Sequence, residues 1–180
     1  MTGNAKSVLV TGGAGSIGCN IVRKLRDRGY ETLVLDNLSA YPFDYLNEFG
    51  VGQLSDVEFI YGDIRDERLV QELVGRVNRV IHAAAYADVG ACVRNPKMAF
   101  DINITGTQIL LDAAVQSQIE SFVFVSSASV YGNPGSQRFR ETDPCFPISN
   151  YGVAKLWGEQ QALVYGQLYG IPVKSIRFFS

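Results

Sequence analysis

The chain has 180 residues, 47% of them hydrophobic and 19% charged, with a formal net charge of −2. This is an ordinary globular composition, and a chain of this length can bury about 70% of its unfolded surface around one core. It has no basic tract interleaved with aromatics, which argues against a nucleic-acid partner, and its apolar runs are strand-sized, too short for a membrane span.

Residues 1–7 hold no apolar segment ahead of a small-residue cleavage site, so no secretory signal is expected and the cytoplasm is the expected compartment. Cys19, Cys92 and Cys145 are odd in number and far apart, which suits neither a disulfide framework nor a zinc site; inert thiols in a reducing cytosol are expected. His82 is the only histidine. A multi-His metal site is thereby excluded, and no bound metal is expected.

Val8-Leu9-Val10 is a short apolar run followed at once by a glycine-rich turn. Ile17, Ile21, Val22 and Leu25 then recur at helical spacing, and Gly29 offers a stop. Thr32-Leu33-Val34-Leu35 reads as a second buried strand, ending at Asp36. Residues 39–52 have no clean period and read as a long loop or an irregular helix. Residues 57–61 form a third strand running into Gly62-Asp63, and residues 66–76 a helix with Leu69, Leu73 and Val77 on one side. Val80-Ile81 is a fourth strand, continuing into His82. Pro96 can open a long helix reaching about Val115. Residues 122–125 form a fifth strand that ends at Ser126-Ser127. After a Pro- and Gly-rich loop over residues 132–147, Ser149 or Asn150 caps a helix to about Tyr169, stopped by Gly170-Ile171-Pro172. Residues 173–179 are a sixth strand.

Strands that are continuous apolar runs, alternating with helices, predict a parallel sheet covered on both faces. Right-handed crossovers then give an α/β doubly wound Rossmann sheet in the order 3-2-1-4-5-6, one domain over residues 1–180.

Gly12, Gly15 and Gly18 lie between the first strand and its helix. Their spacing is G-x-x-G-x-x-G rather than G-x-G-x-x-G. Glycines there let backbone approach a pyrophosphate at a helix N-terminus, although alone they mark only a tight turn. Asp36, ending the second strand, can accept both hydroxyls of an adenine ribose and repel a 2′-phosphate, or simply open a turn. Asn37 and Leu38 follow it and no arginine does, which favours NAD over NADP. Asp63 and Ile64 end the third strand at the same edge and could flank an adenine. Ala83, Ala84 and Ala85 permit close approach of a cofactor, or serve helix–sheet packing. His82 reads as structural.

Ser126, Ser127 and Ser129 cluster at the carboxyl end of the fifth strand, where open α/β sheets bind ligands. Tyr151 and Lys155 are four residues apart and share one helix face. A cation near a phenol favours the phenolate, so the lysine together with a positively charged nicotinamide could bring the tyrosine into range as a base near neutral pH.

Together these residues resemble the extended short-chain dehydrogenase/reductase family, in particular its NAD-dependent sugar-nucleotide epimerases and dehydratases. The stretches that carry the resemblance are Thr11-Gly12-Gly13-Ala14-Gly15-Ser16-Ile17-Gly18, Asp36-Asn37-Leu38-Ser39, Gly62-Asp63-Ile64-Arg65 and His82-Ala83-Ala84-Ala85. Further on come Asn103-Ile104-Thr105-Gly106-Thr107, Ser126-Ser127-Ala128-Ser129-Val130-Tyr131-Gly132, Tyr151-Gly152-Val153-Ala154-Lys155 and Arg177-Phe178-Phe179. The resemblance implies a catalytic Ser127, Tyr151 and Lys155: tyrosine taking a proton from a sugar hydroxyl, serine holding that oxygen, lysine binding the nicotinamide ribose and lowering the tyrosine's pKa. It implies that Gly12, Gly15, Ser16, Ile17, Gly18, Asp36, Asn37, Asp63, Ile64, Ala83, Ala84, Ala85, Asn103 and Phe179, with Tyr151 and Lys155, lie on or near NAD.

The implied reaction is epimerisation of a nucleotide sugar, a UDP-hexose, by transient oxidation at C4. Ala128-Ser129 stands where the family's dehydratases carry Asp-Glu, which argues against dehydration. Ser129 stands where carbanion-type GDP-mannose epimerases carry cysteine. No lysine lies near Ala87, as many UDP-galactose 4-epimerases have, and Ser16 replaces a common phenylalanine. The family continues past the sixth strand into a smaller domain that grips the sugar, and this sequence stops at Ser180, so that domain is expected to be missing from it. The resemblance also implies a homodimer through the helices near 96–115 and 151–169. Two other readings stay open: an NAD-binding module without turnover, and an NAD-dependent reductase or dehydrogenase of the same family.

Overall fold

The computed structural model describes residues 6–40, 57–133 and 138–179. Six parallel strands form one sheet: β1 (Ser7–Thr11), β2 (Glu31–Asp36), β3 (Glu58–Tyr61), β4 (Arg79–His82), β5 (Ser121–Ser127) and β6 (Val173–Phe178), in the order β3-β2-β1-β4-β5-β6. This is the doubly wound Rossmann order expected. The register aligns Thr11 with Leu35 and His82, and His82 with Phe124, so the carboxyl ends of the strands share one edge.

The pleat of β1 divides the core in two, because successive side chains face opposite sides of a sheet. Val8 and Val10 pack with Val34 and Val22 under α1 (Ser16–Arg26). Leu9 packs on the other side with Leu33, Leu35, Val80 and Phe122, under α2 (Glu67–Val74) and α5 (Gly106–Gln116). Asp66 caps α2 by accepting from Leu69 N–H, and Gly29, at φ +75°, makes the turn after α1.

The long helix expected from Pro96 is present, with one π-helical turn inside it. A short α3 (Val89–Arg94), not anticipated, starts at Asp88, whose side chain accepts from Ala91 N–H. Asn95 then leaves helical geometry ahead of Pro96, as pre-proline residues do, and α4 (Pro96–Phe100) begins. A π-helical turn (Asp101–Thr105) joins α4 to α5 and carries the buried Asn103. A 3₁₀ turn (Ala128–Tyr131), also not anticipated, follows β5. α6 (Asn150–Tyr169) is capped by Ser149, which accepts from Gly152 N–H, and ends at the left-handed Gly170. Of the stretch 39–52, read as loop or irregular helix, residues 41–52 lie outside the described residues.

Candidate active site

A cleft of about 160 Å³ lies outside the carboxyl ends of β1 to β4. Gly12, Gly15, Ser16, Ile17, Gly18, Asp36, Asn37, Asp63, Ile64, Ala83, Ala84 and Ala85 all line it. Steric demand differs sharply among the glycines. A Cβ on Gly18 would sit 2.0 Å from Gly12 O, and one on Gly12 would sit 2.5 Å from Ala84 N. A Cβ on Gly15 would meet only Gly12 O, at 3.3 Å. Gly15 also caps α1 without a side-chain hydrogen bond, and the first turn holds no acidic residue. That helix end is therefore suited to an anion.

The acids around the cleft are braced. Asp36 Oδ2 accepts from Ala14 N–H at 3.0 Å and Oδ1 from Leu38 N–H at 2.9 Å, so its carboxylate holds the glycine turn while lining the cleft. Asp63 accepts from Arg65 Nε at 2.9 Å and Nη2 at 2.7 Å, and from Asn37 Nδ2 at 3.1 Å. Its pKa falls to about 2, chiefly through the Arg65 hydrogen bond. Sequence reasoning missed that Arg65 neutralises this acid, although the two are adjacent in the motif.

Asn103 does not line the cleft. It acts one step behind, with Oδ1 accepting from Tyr86 N–H at 2.7 Å and Nδ2 donating to Tyr86 O at 3.0 Å, which holds the wall after Ala85. Phe179 is likewise absent from the cleft. It is exposed and lies near Tyr131, with ring centroids 6.2 Å apart, in a separate groove beside β6. β6 is one of the sheet's two outer strands, and its last residue, Phe178, lines a pocket with Ser16 and Ile17 of α1.

The second part of the site lies beyond β5. The Ser127 hydroxyl accepts from Ser129 N–H at 3.1 Å, donates to Ser129 Oγ at 3.0 Å and favours the ionised form of the Tyr151 phenol. Neighbouring Ser126 Oγ is buried without a hydrogen-bond partner. Two glycines seat α6 closely enough to bring these groups together. A Cβ on Gly152 would stand 2.5 Å from Ser129 O, and one on Gly158 would stand 2.3 Å from Phe124 Cζ. Lys155 is buried, and its Nζ donates to Val125 O at 2.7 Å and lies 5.7 Å from the centroid of the Tyr151 ring.

Burial sets the electrostatics of both groups. Burial raises the Tyr151 phenol above its ordinary value, and the Ser127 hydrogen bond opposes that only in part. Burial also lowers Lys155 to about 8. Desolvation is the largest cause for both groups while the Lys155 ammonium donates to the Val125 carbonyl. The arrangement can still pass a proton between the phenol and a hydroxyl held by Ser127, with a cation close behind.

Residues 8–180 match the NAD dependent epimerase/dehydratase family. The chain belongs to that family. The UDP-glucose 4-epimerase of Halalkalibacterium halodurans is 36% identical over 176 residues, 97% of this chain and 50% of that protein. A putative UDP-glucose 4-epimerase of Methanocaldococcus jannaschii is 38% identical over 173 residues, 95% of this chain and 54% of that protein. The crystal structure of the Thermus thermophilus UDP-glucose 4-epimerase complex with NAD matches with a TM-score of 0.85 at 38% identity, covering 95% of this chain and 54% of that one. The chain thus spans about half the length of the curated relatives it matches.

In this NAD dependent epimerase/dehydratase member, one cluster escaped sequence reasoning altogether. Arg177 on β6 pairs with the buried Glu159 of α6 through Nε–Oε1 at 2.9 Å and Nη2–Oε2 at 2.7 Å. Its Nη1 donates to Tyr131 Oη at 2.7 Å and to Glu141 O at 3.2 Å. Tyr131 stacks on Phe139 with centroids 4.2 Å apart. The available signal was Glu159 itself, four residues beyond Lys155 on the same helix face. Among the described residues no cluster of acidic, cysteine or histidine side chains could hold a metal, and no helix is long and apolar enough to cross a membrane.

Proposed function

We propose that this chain forms the cofactor-binding and catalytic half of an NAD-dependent nucleotide-sugar epimerase acting at C4 of a UDP-hexose. The observation that carries this reading is the buried Lys155 with its Nζ 5.7 Å from the Tyr151 ring centroid and 2.7 Å from Val125 O, beside Ser127 at the end of β5, at the same sheet edge as the glycine-turn cleft. The cleft fits NAD. Its turn excludes side chains at Gly12 and Gly18, α1 has no side-chain cap, and Asp36 lines the opposite wall with no arginine following to take a 2′-phosphate.

Bound NAD would supply the acceptor for the C4 hydride and return it to the opposite face of the keto sugar. The chain's own residues manage the oxygen. Ser127 holds the C4 oxygen by hydrogen bonding, Tyr151 takes its proton as the hydride leaves and returns it when the hydride comes back, and Lys155 offsets the phenolate charge. Positioned acid–base groups of this kind contribute roughly 10²–10⁴-fold to rate. Ala128-Ser129 supplies no acid pair for eliminating water, which favours epimerisation over dehydration.

The apolar stripe Val153, Val164 and Leu168 on α6, with Val93 and Phe100 beside it on α3 and α4, is exposed and supports a homodimer through these helices. Sedimentation of the parent against a Val164→Lys, Leu168→Lys variant tests this. A second reading rests on the half-length span: the 180 residues alone bind NAD without turning sugar over. Calorimetry with NAD and with UDP-glucose separates the readings. Sugar binding and 4-epimerisation that is lost in Tyr151→Phe support the enzyme, and NAD binding without sugar binding supports the module.

A further inference from the structure

His82 is fully buried, its ring set against Phe122 and Phe124. Nδ1 lies 2.7 Å from Thr11 Oγ1, and Nε2 lies 2.9 Å from Thr107 Oγ1. The proton positions follow from the far end of this relay. A carbonyl only accepts, so Thr107 donates its hydroxyl proton to Asn103 O, at 2.8 Å. With its single proton committed, Thr107 can only accept from the ring, which puts the imidazole proton on Nε2. Nδ1 is then an acceptor, and Thr11 donates to it. Thr11 Oγ1 is left with a lone pair for Ala84 N–H, at 3.3 Å. At the other end the Asn103 side chain holds Tyr86 N–H and C=O. Both ends of the relay close on one segment, the wall formed by residues 83–86, against which Gly12 packs with no room for a Cβ.

We propose that His82 is a positioning residue, a neutral imidazole with its proton on Nε2 that aims the Thr11 hydroxyl at Ala84 and so sets the spacing between the glycine turn and the opposite wall of the cleft. The proposal rests on reading that cleft as the cofactor site. Burial brings the imidazole down to about 3, and the Lys155 cation pushes the same way. The other groups against the ring are the neutral Thr11, Thr107, Phe122 and Phe124. The ring therefore stays uncharged at neutral pH.

Because the chain holds one histidine, its imidazole nitrogens give one unambiguous set of NMR signals. In the full chain the nitrogen coupled to both ring protons should carry the proton, with no titration between about pH 5 and about pH 8. A proton on Nδ1, or a ring that titrates in that range, overturns the proposal. Substitution gives a second measurement. His82→Asn keeps an acceptor near the Nδ1 position, whereas His82→Gln keeps an amide near the Nε2 position. Amide exchange at Ala84 should stay close to parental in His82→Asn and speed up at least about tenfold in His82→Gln. A role in packing alone predicts the reverse, because Gln is nearer to His in volume, and that order refutes the proposal. If neither variant folds, the parental spectrum decides. NAD affinity is measured separately, so loss of the cofactor reading would leave the tautomer result standing and identifiable.

Discussion

The cleft beside β1 and the proposed catalytic corner beside β5 are built from opposite materials. The cleft is made of backbone and of missing side chains: Gly12 and Gly18 have no space for a Cβ, and Asp36 spends both carboxylate oxygens on main-chain N–H groups. The corner is made of side chains, Ser127 from the end of β5 and Tyr151 and Lys155 four residues apart on one helix. Backbone sites tolerate almost no change in shape, because neighbouring main chain cannot move aside. Side-chain sites tolerate changes of shape but depend on specific atoms. The two regions should therefore fail differently, the corner losing chemistry before stability and the cleft losing both together.

The largest effect should be chemical. Tyr151→Phe in the whole enzyme should lower kcat by about 10³-fold while leaving NAD affinity within about threefold, as read by steady-state kinetics and calorimetry. Retained turnover would sink the acid–base assignment. Next comes the cleft. Gly18→Ala forces a methyl to within 2.0 Å of Gly12 O and should cost about 3 kcal/mol or more of stability, with NAD binding lost. Gly15→Ala, with only a 3.3 Å contact, should stay within about 1 kcal/mol of the parent in denaturant melts yet still bind NAD more weakly. Equal damage from the two alanines would erase the contrast between a steric glycine and one that faces ligand.

The legibility of the sequence follows the same divide. Strand order and the Tyr151–Lys155 pairing were readable because both rest on local period: continuous apolar runs for a covered parallel sheet, and a four-residue step for one helix face. The π turn that buries Asn103 and the Arg177–Glu159–Tyr131 cluster were not, because each depends on partners distant in the chain. Thr11 and His82 are 71 residues apart, and Tyr131 and Arg177 are 46 apart.

That hidden cluster supplies the third effect. Glu159→Gln leaves the Arg177 guanidinium without its carboxylate in a setting where the two side chains are only 7% and 20% exposed, and should cost about 2–3 kcal/mol in urea melts. The double variant Glu159→Leu, Arg177→Met should recover much of the loss, since no buried charge is left unpaired. The fourth effect is a pH dependence at Lys155. Its folded pKa of about 8 lies below the unfolded value, so between these two values the unfolded chain binds more protons and stability rises with pH. Relative to Lys155→Met, the parent should gain roughly 2–3 kcal/mol between pH 8 and pH 10.5, a window set by the two pKa values. A parallel pair of curves would mean that the ammonium is solvated rather than buried.

The smallest effect belongs to an ion pair at the cleft, Asp63 with Arg65. Asp63 and Arg65 make several short contacts, but their side chains are 28% and 37% exposed, so water screens the pair. The folded pKa of Asp63 is depressed to about 2, hence its contribution is fully present above the unfolded value of 3.8 and fades as pH falls through 2. Asp63→Asn should therefore destabilise by less than about 1 kcal/mol at neutral pH, less still in high salt, with the difference from the parent closing as pH drops from 4 toward 2. A loss as large as that of Glu159→Gln would show that the pair is shielded from water and bears on the cleft's shape as strongly as the glycines do. The backbone would then no longer suffice to explain that side of the site.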